Sequence, residues 1–254
     1  MGVVVGERSR VWTQQPPVGT PIDWSNPLCK GLVFAYEGSA GQQDVAQNRP
    51  GSALPAGATV GVGKYGIQEN FNGSAVASFG SLTNLAGATE ATWDILFYRA
   101  SGSSVVNLFG QWGSNNGWLI QANVGSTVWV AADDNAGNRR RWDGILGTGW
   151  IRLTLSWRGG SNMSVLQNGV NVTASYSAIN AVATSIGTTM DNLAVSCDNG
   201  GSVVFARAWQ RGMQLNEMMS LHNFPWQIFQ PSKRRIYIPS SSGGFTTGIS
   251  WIGV

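Results

Sequence analysis

Residues 149–172 read GWIRLTLSWRGGSNMSVLQNGVNV. Ile151, Leu153, Leu155 and Trp157 alternate with Arg152, Thr154 and Ser156, and a period of two marks a strand with one buried face. Gly159-Gly160-Ser161-Asn162 turns the chain, Met163 to Gln167 returns it, and Asn168-Gly169 turns it again before Val170. Asn-Gly between apolar runs is a strong hairpin signal, because both positions tolerate the positive φ that a tight turn needs. Further runs lie on either side: Leu32 to Tyr36, Trp93 to Phe97, Val105 to Phe109, Trp118 to Val124, Val128 to Ala131, Asp191 to Val195 and Ser202 to Trp209. Many short strands at regular spacing predict an all-β antiparallel sandwich. The period changes once. Leu215, Met218, Met219 and His222 fall on one face of a short helix, which Pro225 ends.

Composition agrees with many strands joined by tight turns. The 254 residues include 34 Gly and 12 Trp, and the hydrophobic content of 43% can fill a sizeable core. Charged residues make up 11%, under half of the roughly 25% usual in globular domains. A surface this poor in charge is covered by Ser, Thr, Asn, Gln and Gly, which suits packing against other subunits or contact with sugars. The net charge of +3 is mild, and its dense runs are Arg139-Arg140-Arg141 and Lys233-Arg234-Arg235. A nucleic-acid partner would want a basic stripe with interleaved aromatics, so none is expected. No window holds 18 apolar residues, so no membrane span is expected. Met1 to Arg10 lacks an apolar h-region, so no signal peptide is expected either. Cys29 and Cys197 read as buried free thiols.

The chain divides into an N-terminal arm (1–21), a domain (22–229) and a C-terminal arm (230–254). Val3, Val4 and Val5 can add as an edge strand, while Pro16-Pro17 and Pro21 exclude helix. The C-terminal arm has a basic-aliphatic strand, Arg234 to Ile238, a Ser/Gly linker and an apolar tip. Exposed apolar residues beyond a flexible linker mark docking sites. The expected assembly contacts are Val3, Val4, Val5 and Trp12 at one end, and Phe245, Ile249, Trp251 and Ile252 at the other.

Several motifs carry a family resemblance. The Trp-led strand with its Gly-Gly turn and Asn-Gly hairpin resembles the laminin-G-like, or concanavalin A-like, jelly roll. Val11-Trp12-Thr13-Gln14-Gln15-Pro16, Ile22 to Leu28 and Gly31-Leu32-Val33 resemble the opening of bacteriophage and prophage virion proteins with that domain. Val204 to Trp209, Leu215 to Leu221 and Asn223 to Phe229 resemble their closing segment, in which a last strand feeds a short helix and a Pro-Trp anchor. The resemblance implies a jelly roll in a virion made in the host cytoplasm, with capsid or tail proteins and copies of the chain itself as partners. It implies a non-enzymatic structural role, such as capsid decoration, head fibre, tail or neck. The alternative is a lectin-like adhesin for a host glycan.

Jelly-roll glycanases set two glutamates and an aspartate close together on one strand, whereas Glu7, Glu37, Glu69, Glu90 and Glu217 are all isolated. No enzyme is expected, and His222 reads as a packing residue. Sugar stacking would fall to Trp112 and Trp118, flanking a turn with Asn115 and Asn116, and then to Trp142. No cofactor is expected. The alternative is a Ca²⁺ held by Asp133, Asp134 and Asn135, whose hard oxygens are the donors calcium prefers, though such clusters are also ordinary turn chemistry.

Overall fold

The computed structural model describes residues 3–10, 13–38, 42–72, 75–113, 116–125, 127–134, 136, 138–179, 183–188 and 191–238, with backbone alone for 3–10, 179 and 232–238. In chain order the strands are β1 (Val3–Arg10), β2 (Leu32–Glu37), β3 (Gln43–Asp44), β4 (Arg49–Pro50), β5 (Thr59–Gly63) and β6 (Gly66–Asn70). Then come β7 (Val76–Ser78), β8 (Ala91–Arg99), β9 (Val106–Gly113), β10 (Asn116–Asn123), β11 (Thr127–Asp133), β12 (Arg139–Ile145) and β13 (Gly149–Trp157). The last are β14 (Met163–Gln167), β15 (Val170–Asn171), β16 (Ser177–Ile179), β17 (Ala194–Ser196), β18 (Ser202–Trp209) and β19 (Ser232–Ile238), with the helix α1 (Leu215–Asn223) before β19.

Two antiparallel sheets form the sandwich. One has seven strands in the order β16-β12-β11-β10-β9-β17-β7. The other has ten, running β15-β14-β13-β8-β18-β2-β3-β4, with β6 added to β18 and β5 to β6. Between them lies a core rich in aromatic rings, in which Trp93 stacks on Trp118 at 5.2 Å and Trp142 meets Trp157 at 6.2 Å. The Asn168-Gly169 hairpin forms as expected: Asn168 has φ 50°, Gly169 φ 80°, and Gln167 pairs with Val170.

β13 departs from the one-buried-face reading. Its apolar residues fill the core between the sheets, and its polar ones, Arg152, Thr154 and Ser156, are buried too. The outer face of the ten-stranded sheet carries a second core, built from Ile22, Leu28, Leu32, Trp209, Met218, Leu221, Trp226 and Phe229 among others. Each of these three polar side chains has a partner. Arg152 pairs with Asp94 at 2.7 Å, Thr154 donates to Asp94 at 2.8 Å, and Ser156 donates to the Met213 carbonyl at 2.8 Å. In α1 the inward residues are Met218 and Leu221, while Leu215 at the first turn is 38% exposed.

The two motifs quoted from the ends of the domain meet in this second core. Ile22 bridges to Phe229, Asp23 N donates to the Ile228 carbonyl, and the Asn26 side chain donates to the Gln227 carbonyl. The arms also meet. β1 and β19 form an antiparallel ribbon, with Val3 opposite Ile238 and Val4 opposite Tyr237, and the register shifts between Val4 and Gly6 across Val5. Val3, Val4 and Val5 therefore lie on a strand that already has a partner within the chain. Trp12, Phe245, Ile249, Trp251 and Ile252 lie outside the described residues. Cys29 and Cys197 are buried free thiols.

Candidate functional site

Register decides which side chains share the outer face of the seven-stranded sheet. Trp118, Ile120, Ala122, Val128, Val130 and Trp142 point into the core, so the residues between them point out. The outward residues of β9 to β12 fall in three rows across the strands. Trp112, Gly117, Asp133 and Arg139 make the first, Gly110, Leu119, Ala131 and Arg141 the second, and Asn107, Gln121, Trp129 and Asp143 the third.

The first and third rows each hold a tryptophan packed against a guanidinium. Arg141 Cζ lies 3.5 Å from the Trp129 ring centroid, and its Nη2 donates to Asp143 at 2.6 Å. Arg139 Cζ lies 4.9 Å from the Trp112 centroid, and its Nε and Nη2 each donate to Asp133 at 3.0 Å. Arg139 and Trp112 stand three strands apart. They meet because Gly117, between them in the row, has no side chain to fill the space. Such contacts contribute about 0.5–1 kcal/mol each at exposed sites, and more when water is excluded.

The second row forms a floor between these walls. Gly110 is buried, Leu119 is 8% exposed and Ala131 6%, yet neither Leu119 nor Ala131 belongs to either hydrophobic core. The wall rows stand four residues apart along the strands, about 13 Å, and the strip between them, called the channel below, crosses the strands. Its charges balance: each arginine is joined to an aspartate. Burial pushes the Asp133 carboxyl above the ordinary range, against the opposing pull of its hydrogen bonds from Arg139. Among neutral groups, Gln121 donates to Asn107 at 2.7 Å along the third row.

The expected sugar-binding residues divide over the two faces. Trp112 lies on the channel wall, and Asn116 begins the next strand beside it. Trp118 pairs with Gln111, one position from the Trp112–Gly117 pair, and a one-residue offset moves a side chain to the opposite face. Trp118 is 1% exposed and Trp142 2%. Both fill the core, so neither ring can stack on a sugar. Asn115 lies outside the described residues. Trp129, Gln121 and Asn107 share this outer face, and Trp129 falls between Val128 and Val130, which face the core.

The calcium reading is likewise corrected. Both oxygens of Asp133 face Arg139, so an internal cation takes the place of a metal. Asp134 folds back on its own turn, accepting from the backbone of Ala136 and Asn138 at 2.9 Å each, and those bonds lower its pKa, the Asn138 side-chain bond most of all. Asn135 lies outside the described residues. Among the described residues, no three His, Cys, Asp or Glu side chains gather into a group that could hold a metal ion.

The glutamates have separate duties. Glu37 is buried against Arg207 at 2.7 Å, Glu69 accepts from Tyr36 and Gln42, Glu90 accepts from Gly212 N, and Glu217 caps α1. His222 is half-buried, and burial first, then the Arg152 charge, holds its pKa below 6.5. Among the described residues, no helix is long and apolar enough to cross a membrane.

These features define an antiparallel β-sandwich of jelly-roll type with an aromatic channel on its seven-stranded sheet. The sequence matches no family model and no curated protein. Solved structures share the fold. The binding domain of Paraclostridial Mosquitocidal Protein 1 aligns with a TM-score of 0.61 at 13% identity, over 77% of this chain and 52% of that one. The binding domain of botulinum neurotoxin DC in complex with SialylT aligns at 0.60 and 10%, over 77% and 52%. The botulinum neurotoxin serotype G binding domain gives 0.58 and 9%, over 75% and 50%. The chain thus spans about half the length of these structures.

Proposed function

We propose that this protein is a carbohydrate-binding module, and that the channel across β9–β12 is its sugar site. The observation that carries this reading is the pair of tryptophan–guanidinium stacks flanking an apolar floor on a sheet face that holds no core. Trp112 and Trp129 offer ring surface for sugar C–H groups, the partly exposed Asp143 carboxylate accepts from hydroxyls, and Asn107 and Gln121 supply amides. The fold likeness to toxin binding domains, one of them solved with SialylT, supports binding rather than catalysis. The test is a glycan array on the wild type, followed by titration of the best ligand into Trp129→Ala and Trp112→Ala. Loss of one stacked ring should weaken binding about tenfold or more. Unchanged affinity in both variants would sink the proposal.

For the setting we infer a phage particle, with the β1–β19 ribbon and the C-terminal tip as attachment points. The support is the resemblance of the opening and closing motifs to virion proteins. Mass spectrometry of purified particles tests it, and consistent absence of the chain would rule it out.

A further inference from the structure

A second concave region lies at the other edge of the sandwich, where Ser52 N donates to the carbonyl of Ser78 on β7. It is a broadly open hollow of about 590 Å³, lined by Gln42, Gln43, Asn48 and Ser52 with Pro50, Leu54 and Val60. Small-ligand sites usually fall between about 300 and 1,000 Å³. Val60 and Glu69 are cross-strand partners, so their side chains share a face. Gln42 ties the lining to Glu69, and Tyr36 donates its hydroxyl to the same carboxylate oxygen, Oε2.

Two features of this region go beyond what the fold needs. Among the described residues, Gln42, Asn48 and Asn168 are the only non-glycine residues with positive φ, and the first two line the cavity. Asn168 has its Asn-Gly turn as explanation, and asparagine tolerates this region. Glutamine does not favour it, and strain of this kind costs about 1–3 kcal/mol. Second, Glu69 Oε1 and Gln42 Oε1 are buried without a hydrogen-bond partner. Unmet buried acceptors cost about 1–3 kcal/mol each. Both atoms are acceptors, so what is missing is a source of donors.

We infer that this cavity is a second binding site, for a neutral polyhydroxylated ligand of one or two sugar rings, whose hydroxyls donate to Gln42, the lining residue that Glu69 holds from behind. The lining amides and the Ser52 hydroxyl suit the remaining hydroxyls, and Pro50, Leu54 and Val60 suit the ring's C–H surface. No aromatic or charged side chain lines the cavity, which separates its chemistry from that of the channel. The inference does not rest on the channel reading.

Saturation-transfer NMR with galactose, glucose, lactose and glucosamine tests it on the full chain. At least one neutral sugar should bind. Val60→Trp fills the cavity from an exposed position, and Glu69→Gln removes the carboxylate at constant shape. Each should weaken that sugar about tenfold, with circular dichroism confirming the fold. Trp129→Ala should leave it unchanged, and that arm separates failure of this inference from failure of the channel proposal. Binding by none of the sugars would overturn the inference and leave the two acceptors to ordered water. Binding by glucosamine alone would overturn the neutral-ligand assignment, and so would undiminished binding in Val60→Trp.

Discussion

Trp118 and Trp129 pose the same question at the scale of a single residue. Both are tryptophans on adjacent strands, yet one is 1% exposed against Trp93 and the other stands under Arg141 on the outer face. Composition cannot distinguish them, but alternation can. Trp118 keeps step with Ile120 and Ala122, which face the core, and Trp129 falls between Val128 and Val130, which face it too. The sequence therefore held the information for Trp129. Trp112 and Trp118 flank one hairpin tip, yet the one-residue offset between their cross-strand pairs sends them to opposite faces. Urea denaturation should separate the two roles. Trp118→Ala should cost about 3–5 kcal/mol, as for a large ring removed from a packed core. Trp129→Ala should cost about 1 kcal/mol or less, because it gives up a partly exposed stack, while carrying the loss of sugar binding.

Elements were legible where one face was apolar and harder to read where charge broke the pattern. In β12 the run Arg139-Arg140-Arg141 masks the alternation at its start. The strand has Arg139, Arg141 and Asp143 outward and Trp142 inward, and Arg140 buried and donating to the Ala183 carbonyl. β13 was recognised at once, but its polar face was assigned to solvent. Nothing local in Arg152-Thr154-Ser156 signals a cover, because α1 and the segment before β19 come from far along the chain. What covers them has a measurable consequence. Arg152 is held by both oxygens of Asp94, at 3.0 and 2.7 Å, and by the His222 carbonyl at 3.0 Å. Asp94→Ala removes the counter-charge while the guanidinium remains buried. The expected loss is about 3–5 kcal/mol, read as a lower urea midpoint. The double variant Asp94→Leu/Arg152→Leu should recover much of it, because an apolar pair has no charge left to desolvate.

At the scale of the whole molecule, the same far-apart segments decide what closes the domain. Arg207, wholly buried, pairs with Glu37 and lies 4.0 Å from the Phe205 ring centroid and 5.2 Å from that of Trp226. Its Nη1 donates to the Pro225 carbonyl at 2.6 Å. The Pro-Trp anchor therefore covers an ion pair, and the opening motif locks onto it through Ile22, Asp23 and Asn26. The β1–β19 ribbon lies outside both sheets and is paired only with itself. Closure should accordingly depend on the anchor and not on the ribbon. Trp226→Ala should cost about 3–5 kcal/mol and speed proteolysis near both ends of the domain, since it exposes the Arg207 charge and loosens the opening motif together. A chain truncated after Gln230 keeps every contact of the second core, so its melting temperature should stay within a few degrees of the parent. A truncation that melted as early as Trp226→Ala would show instead that the ribbon is part of the domain's closure, and the arms could then no longer be regarded as attachments to an independently folded sandwich.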